Sequence, residues 1–184
     1  MKLHTTQLDT GEIRRQITAD PNEISALAAL HEAGEVGFEL PLAVDLRAFR
    51  NRDMISVQGH LTTRVKLTCA RCLDDYIEGL DLSFDLSYLQ EKRAAADASE
   101  SETEIDAREA GLIRFEGESI DLSEGIGEQV IMGLPFKPLC DSGCKGLCSQ
   151  CGANLNRDNC TCAPSASDNP FAVLERLQGE DPEA

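Results

Sequence analysis

Eight cysteines fall into four close pairs: Cys69 with Cys72, Cys140 with Cys144, Cys148 with Cys151, and Cys160 with Cys162. Thiolates are nucleophiles, redox centres and metal ligands, and eight of them make two complete tetrahedral sets for zinc. Six of the eight lie within the 23 residues from Cys140 to Cys162. Cys148-Ser-Gln-Cys151-Gly152 has the form of a zinc knuckle: two sulfurs flank a tight turn, and the glycine permits the backbone that turn needs. Cys160-Thr-Cys162 follows at short range and supplies two further sulfurs. If close pairs stay together, loop-closure entropy favours one site from Cys148, Cys151, Cys160 and Cys162. Cys69, Cys72, Cys140 and Cys144 then make the other. A rival grouping joins Cys140 and Cys144 with Cys148 and Cys151 and sends Cys69 and Cys72 to Cys160 and Cys162. It stays open at this stage.

Other cysteine chemistries fit less well. A thioredoxin-like dithiol sits at a helix N-terminus that stabilises the thiolate, whereas Cys69 and Cys72 end a strand pattern and precede Leu73-Asp74-Asp75. All-cysteine ligation also suits iron–sulfur clusters, but two separate knuckle-like sets favour two Zn2+ ions. Four thiolates complete zinc's tetrahedron and leave no position for a reacting water, so such sites are structural. His4, His31 and His60 are scattered, and the chain carries no GxSxG, phosphate-binding glycine loop or HExxH. This favours a non-enzymatic, binding protein. The alternative is a metal- or thiol-dependent enzyme.

The elements that must position these sulfurs are written in period-two patterns, the mark of half-buried strands. Phe38, Leu40, Leu42, Val44, Leu46 and Ala48 share one phase; Ile55, Val57, Leu61, Val65 and Leu67 share another; Leu80, Leu82, Phe84, Leu86 and Tyr88 share a third. Cys69-Ala-Arg-Cys72 then falls in the connection between the second and third strands. Glu12 to Thr18 reads as a further strand, and Glu23 to Ala33, after Pro21 and before Gly34, as a short helix. Asp121-Leu-Ser-Glu124 reads as a helix N-cap, after which Leu122, Ile126, Val130 and Leu134 recur every four residues until Pro135. The fold expected is α+β: an antiparallel sheet that could curl into a barrel, a packing helix, and a small C-terminal cysteine-rich zinc knuckle. Residues 1–139 form the β-rich domain, interrupted by a mobile acidic insertion at 91–109. Residues 140–163 form the metal-binding region, and 164–184 a tail with a short helix.

The formal charge is −16, which with two zinc ions on eight thiolates becomes about −20. Most of such a surface repels phosphate. Residues 46 to 72 are the exception, with Arg47, Arg50, Arg52, Arg64, Lys66 and Arg71 against the single acid Asp53. Contact with RNA, or with a partner, is expected there. The N-terminus has no apolar signal core, and no apolar run is long enough to span a bilayer, so a cytoplasmic protein without a membrane partner is expected. No small-molecule substrate is evident.

With these residues in view, the chain resembles the YceD family, bacterial and plastid proteins associated with large-subunit ribosomal RNA accumulation. The features that match are Cys69-Ala-Arg-Cys72-Leu73, Leu134-Pro135 leading to Cys140-Asp-Ser-Gly-Cys144, and Gly146-Leu-Cys-Ser-Gln-Cys-Gly-Ala-Asn-Leu-Asn156 with Cys160-Thr-Cys162. Asn169-Pro-Phe-Ala-Val-Leu-Glu-Arg-Leu177 also fits. The resemblance implies a role in accumulation or processing of 23S ribosomal RNA, hence in large-subunit biogenesis. Partners would be that RNA, ribosomal proteins or assembly factors; the enzymatic alternative would act in rRNA maturation. Some family members carry the first pair and the Cys140/Cys144 region without the later four cysteines, which supports pairing Cys69 and Cys72 with Cys140 and Cys144.

Overall fold

The structure, a computed structural model, describes residues 1–9, 11–52, 54–90 and 111–162. The acidic segment at 91–109 and the tail from 164 onward lie outside the described residues. Among the described residues eight strands and two α-helices follow in chain order: β1 (Lys2–His4), β2 (Ile13–Ala19), α1 (Ser25–Glu32), β3 (Gly37–Phe38), β4 (Leu42–Asn51), β5 (Met54–Thr68), β6 (Asp75–Gln90), β7 (Leu112–Phe115), β8 (Ser119–Asp121) and α2 (Leu122–Gly133).

The expected strands form because their apolar residues share one face. On β5, Ile55, Val57, Leu61, Val65 and Leu67 are buried, while Arg64 and Lys66 between them are exposed. On β4 the buried set is Leu42, Val44, Leu46 and Ala48; on β6 it is Leu80, Phe84, Leu86 and Tyr88. β5 and β6 make a long antiparallel hairpin that runs in register from Met54↔Leu89 to Thr68↔Asp75. Gly59 lies opposite Phe84, and a Cβ there would stand 2.5 Å from the Phe84 ring. Leu40 breaks the pattern and is exposed. Pro41 follows it, and the chain splits there into β3, which pairs with Val65 and Lys66, and β4, which pairs with the rest of β5.

The main sheet has the order β2-β4-β5-β6-β7, with β3 also on β5. It is an open sheet, not closed into a barrel, and it is not wholly antiparallel. β7 runs parallel to β6, pairing Ser87 with Leu112 and Gln90 with Phe115. A separate ribbon joins β1 to β8, with Leu3 opposite Ile120. Neither pairing was expected from the sequence.

The helices cover one face of the sheet. α1 is entered through a 3-10 turn at Pro21–Glu23, capped by Asp20, and is followed by Gly34 at φ +73. Asp121 caps α2 by accepting from the Ser123 N–H at 2.9 Å. Leu122, Ile126 and Val130 of α2 are buried against β6 and α1. Each such aliphatic side chain contributes roughly 1.5–3 kcal/mol of burial. The opposite face of the sheet is polar and open. No helix among the described residues is long and apolar enough to cross a membrane.

Candidate metal centres and open sheet face

At one end of the sheet, β5 delivers Cys69 and the β5–β6 connection delivers Cys72, while α2 ends and the chain runs through Pro135 and Pro138 to Cys140 and Cys144. The backbone N–H of Ala70 donates to Pro138 O at 2.8 Å, which ties the two approaches together. The four sulfurs of this inner quartet lie within 4.8 Å of one another. Cys69 and Cys144 Sγ are 3.8 Å apart, and Cys72 and Cys140 Sγ are 3.6 Å apart. A zinc–sulfur bond of about 2.3 Å puts tetrahedral sulfurs about 3.8 Å apart, so the set fits that ion. Cys69, Cys72 and Cys144 are buried, with Tyr76, Leu139 and Leu147 packed round them. Arg71 completes the enclosure by donating through Nη1 to the carbonyls of Ser142, at 3.3 Å, and Cys144, at 2.8 Å.

The outer quartet is Cys148, Cys151, Cys160 and Cys162, again with sulfurs within 4.8 Å of one another. Cys151 and Cys160 Sγ are 3.6 Å apart, and Cys160 and Cys148 Sγ are 3.4 Å apart. This group too fits a tetrahedral ion. It is the more open of the two, since Cys151 and Cys162 are exposed. The structure thus brings the eight thiols together in the grouping that short loops favour, not in the rival one.

Both CxxC segments make the same turn. The N–H of Leu73 donates to Cys69 O at 3.0 Å, and that of Gly152 donates to Cys148 O at 2.9 Å. Leu73 has φ +61 and Gly152 φ +72. Backbone amides lean on the first sulfur of each segment. Amides of Cys140 and Cys72 hold the Cys69 thiol down to about 6, and those of Cys151 and Gln150 hold Cys148 down to about 6. Cys140 and Cys162 behave oppositely. Bonding to Cys72, together with burial, pushes Cys140 up to about 12, and bonding to Cys160 pushes Cys162 up to about 12. Within each quartet one sulfur is thus held toward the thiolate and another toward the thiol.

The six basic residues expected as a contact surface do not share one face. Arg47, Arg64 and Lys66 lie on the open face of the sheet, joined by Arg14, which stands opposite Arg47 in the register. Arg50 pairs with Asp9 at 2.9 Å and Gln90 at 3.0 Å at the far end, and Arg52 sits in the β4–β5 turn at φ +59. Arg71 is spent on the inner quartet. The open face is cross-linked between strands: Arg47 reaches Gln58, Gln58 reaches Asp85 at 2.7 Å, His60 meets Asp81 at 3.1 Å, and Lys66 meets Asp75 at 2.8 Å. Through this bond the Asp75 carboxylate holds the Lys66 ammonium above its usual pKa, and Lys66 holds the Asp75 carboxyl below its own. The guanidinium of Arg47 also lies 5.9 Å from the centroid of the Phe49 ring. Arg14, which bonds Glu12 at 2.9 Å, stands outside the basic stretch 46–72; the only signal for it was its place in the Glu12–Thr18 strand pattern.

Comparison with known proteins gives a consistent picture. The chain is 27% identical over 156 residues to a protein of Arabidopsis thaliana named large ribosomal RNA subunit accumulation protein YCED homolog 1, chloroplastic, covering 75% of this chain and 49% of that protein. Its Zea mays counterpart of the same name is 26% identical over 144 residues, covering 67% of this chain and 49% of that protein. An uncharacterized protein of Mycobacterium bovis is 32% identical over 134 residues, covering 68% of this chain and 60% of that protein. The match thus spans about half the length of the plant relatives. No solved structure matches the chain. The family model described as large ribosomal RNA subunit accumulation protein YceD matches residues 57–178, a stretch holding all eight cysteines and well over half of the sequence, and the chain belongs to that family.

Proposed function

We propose that this protein promotes accumulation of large-subunit ribosomal RNA by binding and not by catalysis, with two structural zinc ions that order the cysteine-rich region at the end of its sheet. The observation that carries this reading is the pair of all-sulfur quartets, each with four sulfurs within 4.8 Å of one another. A zinc ion with four thiolates has no position left for an activated water, and that speaks for a structural site. The family description and the names of the plant relatives support the biological process. A reducing compartment such as the cytoplasm would keep the thiols available to metal.

The surface proposed for RNA is the open face of the sheet, where Arg14, Arg47, Arg64 and Lys66 can meet phosphates. Elsewhere the net charge of −16 opposes such contact. A second reading has a basic ribosomal protein as the direct partner. The excess of acids and the presence of Asp45, Asp81 and Asp85 on the same face favour it.

Binding of the full chain to 23S rRNA fragments over a range of salt tests the RNA version. Reversal of Arg47, Arg64 and Lys66 to Glu should abolish binding or lower the salt slope by about two to three. Arg71 must be left intact in this experiment, because its loss would disturb the inner quartet. Absence of binding at low salt sinks the RNA version, and selective capture of basic large-subunit proteins in the same assay would establish the second reading.

A further inference from the structure

The two quartets are joined by a chain of side-chain hydrogen bonds. The loop between Cys151 and Cys160, which the outer quartet closes, carries Asn154 and Asn156. Asn156 Nδ2 donates to Cys144 Sγ, a member of the inner quartet, at 3.3 Å. The same amide group donates to Asn154 Oδ1 at 3.0 Å, and its oxygen accepts from the Lys145 N–H at 2.8 Å. Asn154 is 5% exposed, and its Nδ2 donates to Asp74 Oδ2 at 2.8 Å. Arg157 Nη2 takes the other oxygen of Asp74 at 3.0 Å. Asn154, Asn156 and Arg157 all belong to the outer loop. Asp74, Cys144 and Lys145 all lie within two residues of an inner sulfur or carry one.

Exposure differs sharply between the centres. Three of the four inner cysteines are buried, whereas Cys151 and Cys162 of the outer quartet are exposed and the other two are half-buried. A chelator or a competing protein reaches the outer sulfurs first. Apart from its sulfurs the outer loop is fixed by hydrogen bonds, among them Leu155 N–H to Gly146 O at 2.9 Å and Cys148 N–H to Ala153 O at 2.8 Å, and Asn154 is its only buried residue among those described.

We infer that the two centres are coupled in their hold on metal, with Asp74, Asn154 and Asn156 as the positioning residues between them. The inference rests on the reading that both quartets hold zinc. A metal in the outer quartet fixes the loop, and the fixed loop presents the Asn156 amide to Cys144 Sγ. An N–H···S bond stabilises a metal-bound thiolate and orients it, as outer-shell partners of metal ligands do. Loss of the outer metal frees the loop, and the inner centre loses both a donor and its cover. By linkage the effect is reciprocal in affinity: filling either centre tightens the other.

The experiment follows zinc release from the full chain to a chromophoric chelator, after the bound zinc has been counted. Wild-type protein should hold two equivalents and give them up in a fast and a slow phase. The fast phase is the outer zinc leaving while the inner centre is full, so the coupling is read there. Cys140→Ser with Cys144→Ser, which empties the inner quartet, should hold one equivalent and release it about tenfold faster than the wild-type fast phase. Asn156→Asp, which keeps all eight sulfurs, should hold two equivalents and accelerate the fast phase to a similar degree. Asp74→Asn, which also keeps all eight sulfurs, should accelerate it in the same direction and serves as the second test if Asn156→Asp does not fold. Release at the wild-type fast rate from the cysteine variant and from both two-equivalent variants would make the centres independent and overturn the coupling while leaving the zinc reading in place. Acceleration by the cysteine pair alone would overturn the bridge assigned to Asp74 and Asn156. Wild-type protein that holds no zinc would remove both readings at once.

Discussion

Leu73 and Gly152 occupy the same place in two copies of one turn, at φ +61 and φ +72. Glycine adopts that conformation without steric cost, whereas an L-residue gives up roughly 1–2 kcal/mol. The Leu73 side chain is 64% exposed, so packing returns little of this. Leu73→Gly should therefore raise the stability of the zinc-loaded protein by about 0.5–1 kcal/mol, after allowing for glycine's greater freedom in the unfolded chain. A denaturant midpoint that falls would show that the leucine side chain carries packing. Tyr88 offers a second test. It is 1% exposed, and its hydroxyl has no hydrogen-bond partner among the described residues. Burial pushes its phenol well above the usual value, so the folded state holds a proton that the unfolded chain releases near pH 10. Stability from this group is therefore present below about pH 10 and is lost as pH rises beyond it. Tyr88→Phe removes the unpaired hydroxyl: the variant should be more stable by about 1 kcal/mol at neutral pH and should lose less stability than wild type between about pH 10 and pH 12.

Helix α2 packs through its glycines. A Cβ at Gly125 would stand 2.8 Å from Tyr88 Oη and 3.0 Å from a Leu86 methyl, and one at Gly127 would stand 2.7 Å from an Ile24 methyl. Intrinsic propensity favours alanine over glycine in a helix by about 1 kcal/mol. Here the clash outweighs it, because Tyr88 and Ile24 are themselves buried and cannot retreat. Gly125→Ala should cost about 1–3 kcal/mol in thermal or denaturant unfolding. Gly79→Ala on β6, where nothing lies within 4 Å of the new methyl, is the control and should be close to neutral. Such contacts were not legible in the sequence, which shows Leu122, Ile126 and Val130 as an apolar stripe but not how near the helix must come. The strands β4, β5 and β6 were legible because burial on one face writes a period of two into ten or more residues. The β1–β8 ribbon was not, since three residues at each end, more than a hundred positions apart, leave no period to read. Arg71 misled for a related reason: in a charge count an arginine looks like surface, and only the fold shows its guanidinium on the carbonyls of Ser142 and Cys144.

The molecule is divided by what holds each part together. The sheet and its two helices share one apolar core, from Leu3 through Leu46, Val57 and Leu61 to Ile126 and Val130. That much burial lets a chain fold without metal. The segment from Cys140 to Cys162 is different: Cys144, Gly146 and Asn154 are its only buried residues, and Leu147 is half-buried. A stretch this short, with so little apolar burial, depends on cross-links, and the only ones available are the sulfurs and the hydrogen bonds around them. Removal of zinc should accordingly split the protein into two parts of unequal stability. Hydrogen exchange after chelation should expose the amides of Cys144, Cys148, Gly152 and Leu155, which donate within the metal region, while those between Leu61 and Leu67 in β5 keep their protection. The inner quartet makes the border instructive, because Cys69 and Cys72 extend from the sheet while Cys140 and Cys144 belong to the metal region. Amides of Cys69 and Leu73 should become exposed along with the metal region, and the loss should fade along β5 within a few residues. Simultaneous loss of protection through Leu61 would mean that the sheet also leans on the metal and that the two parts are one cooperative unit.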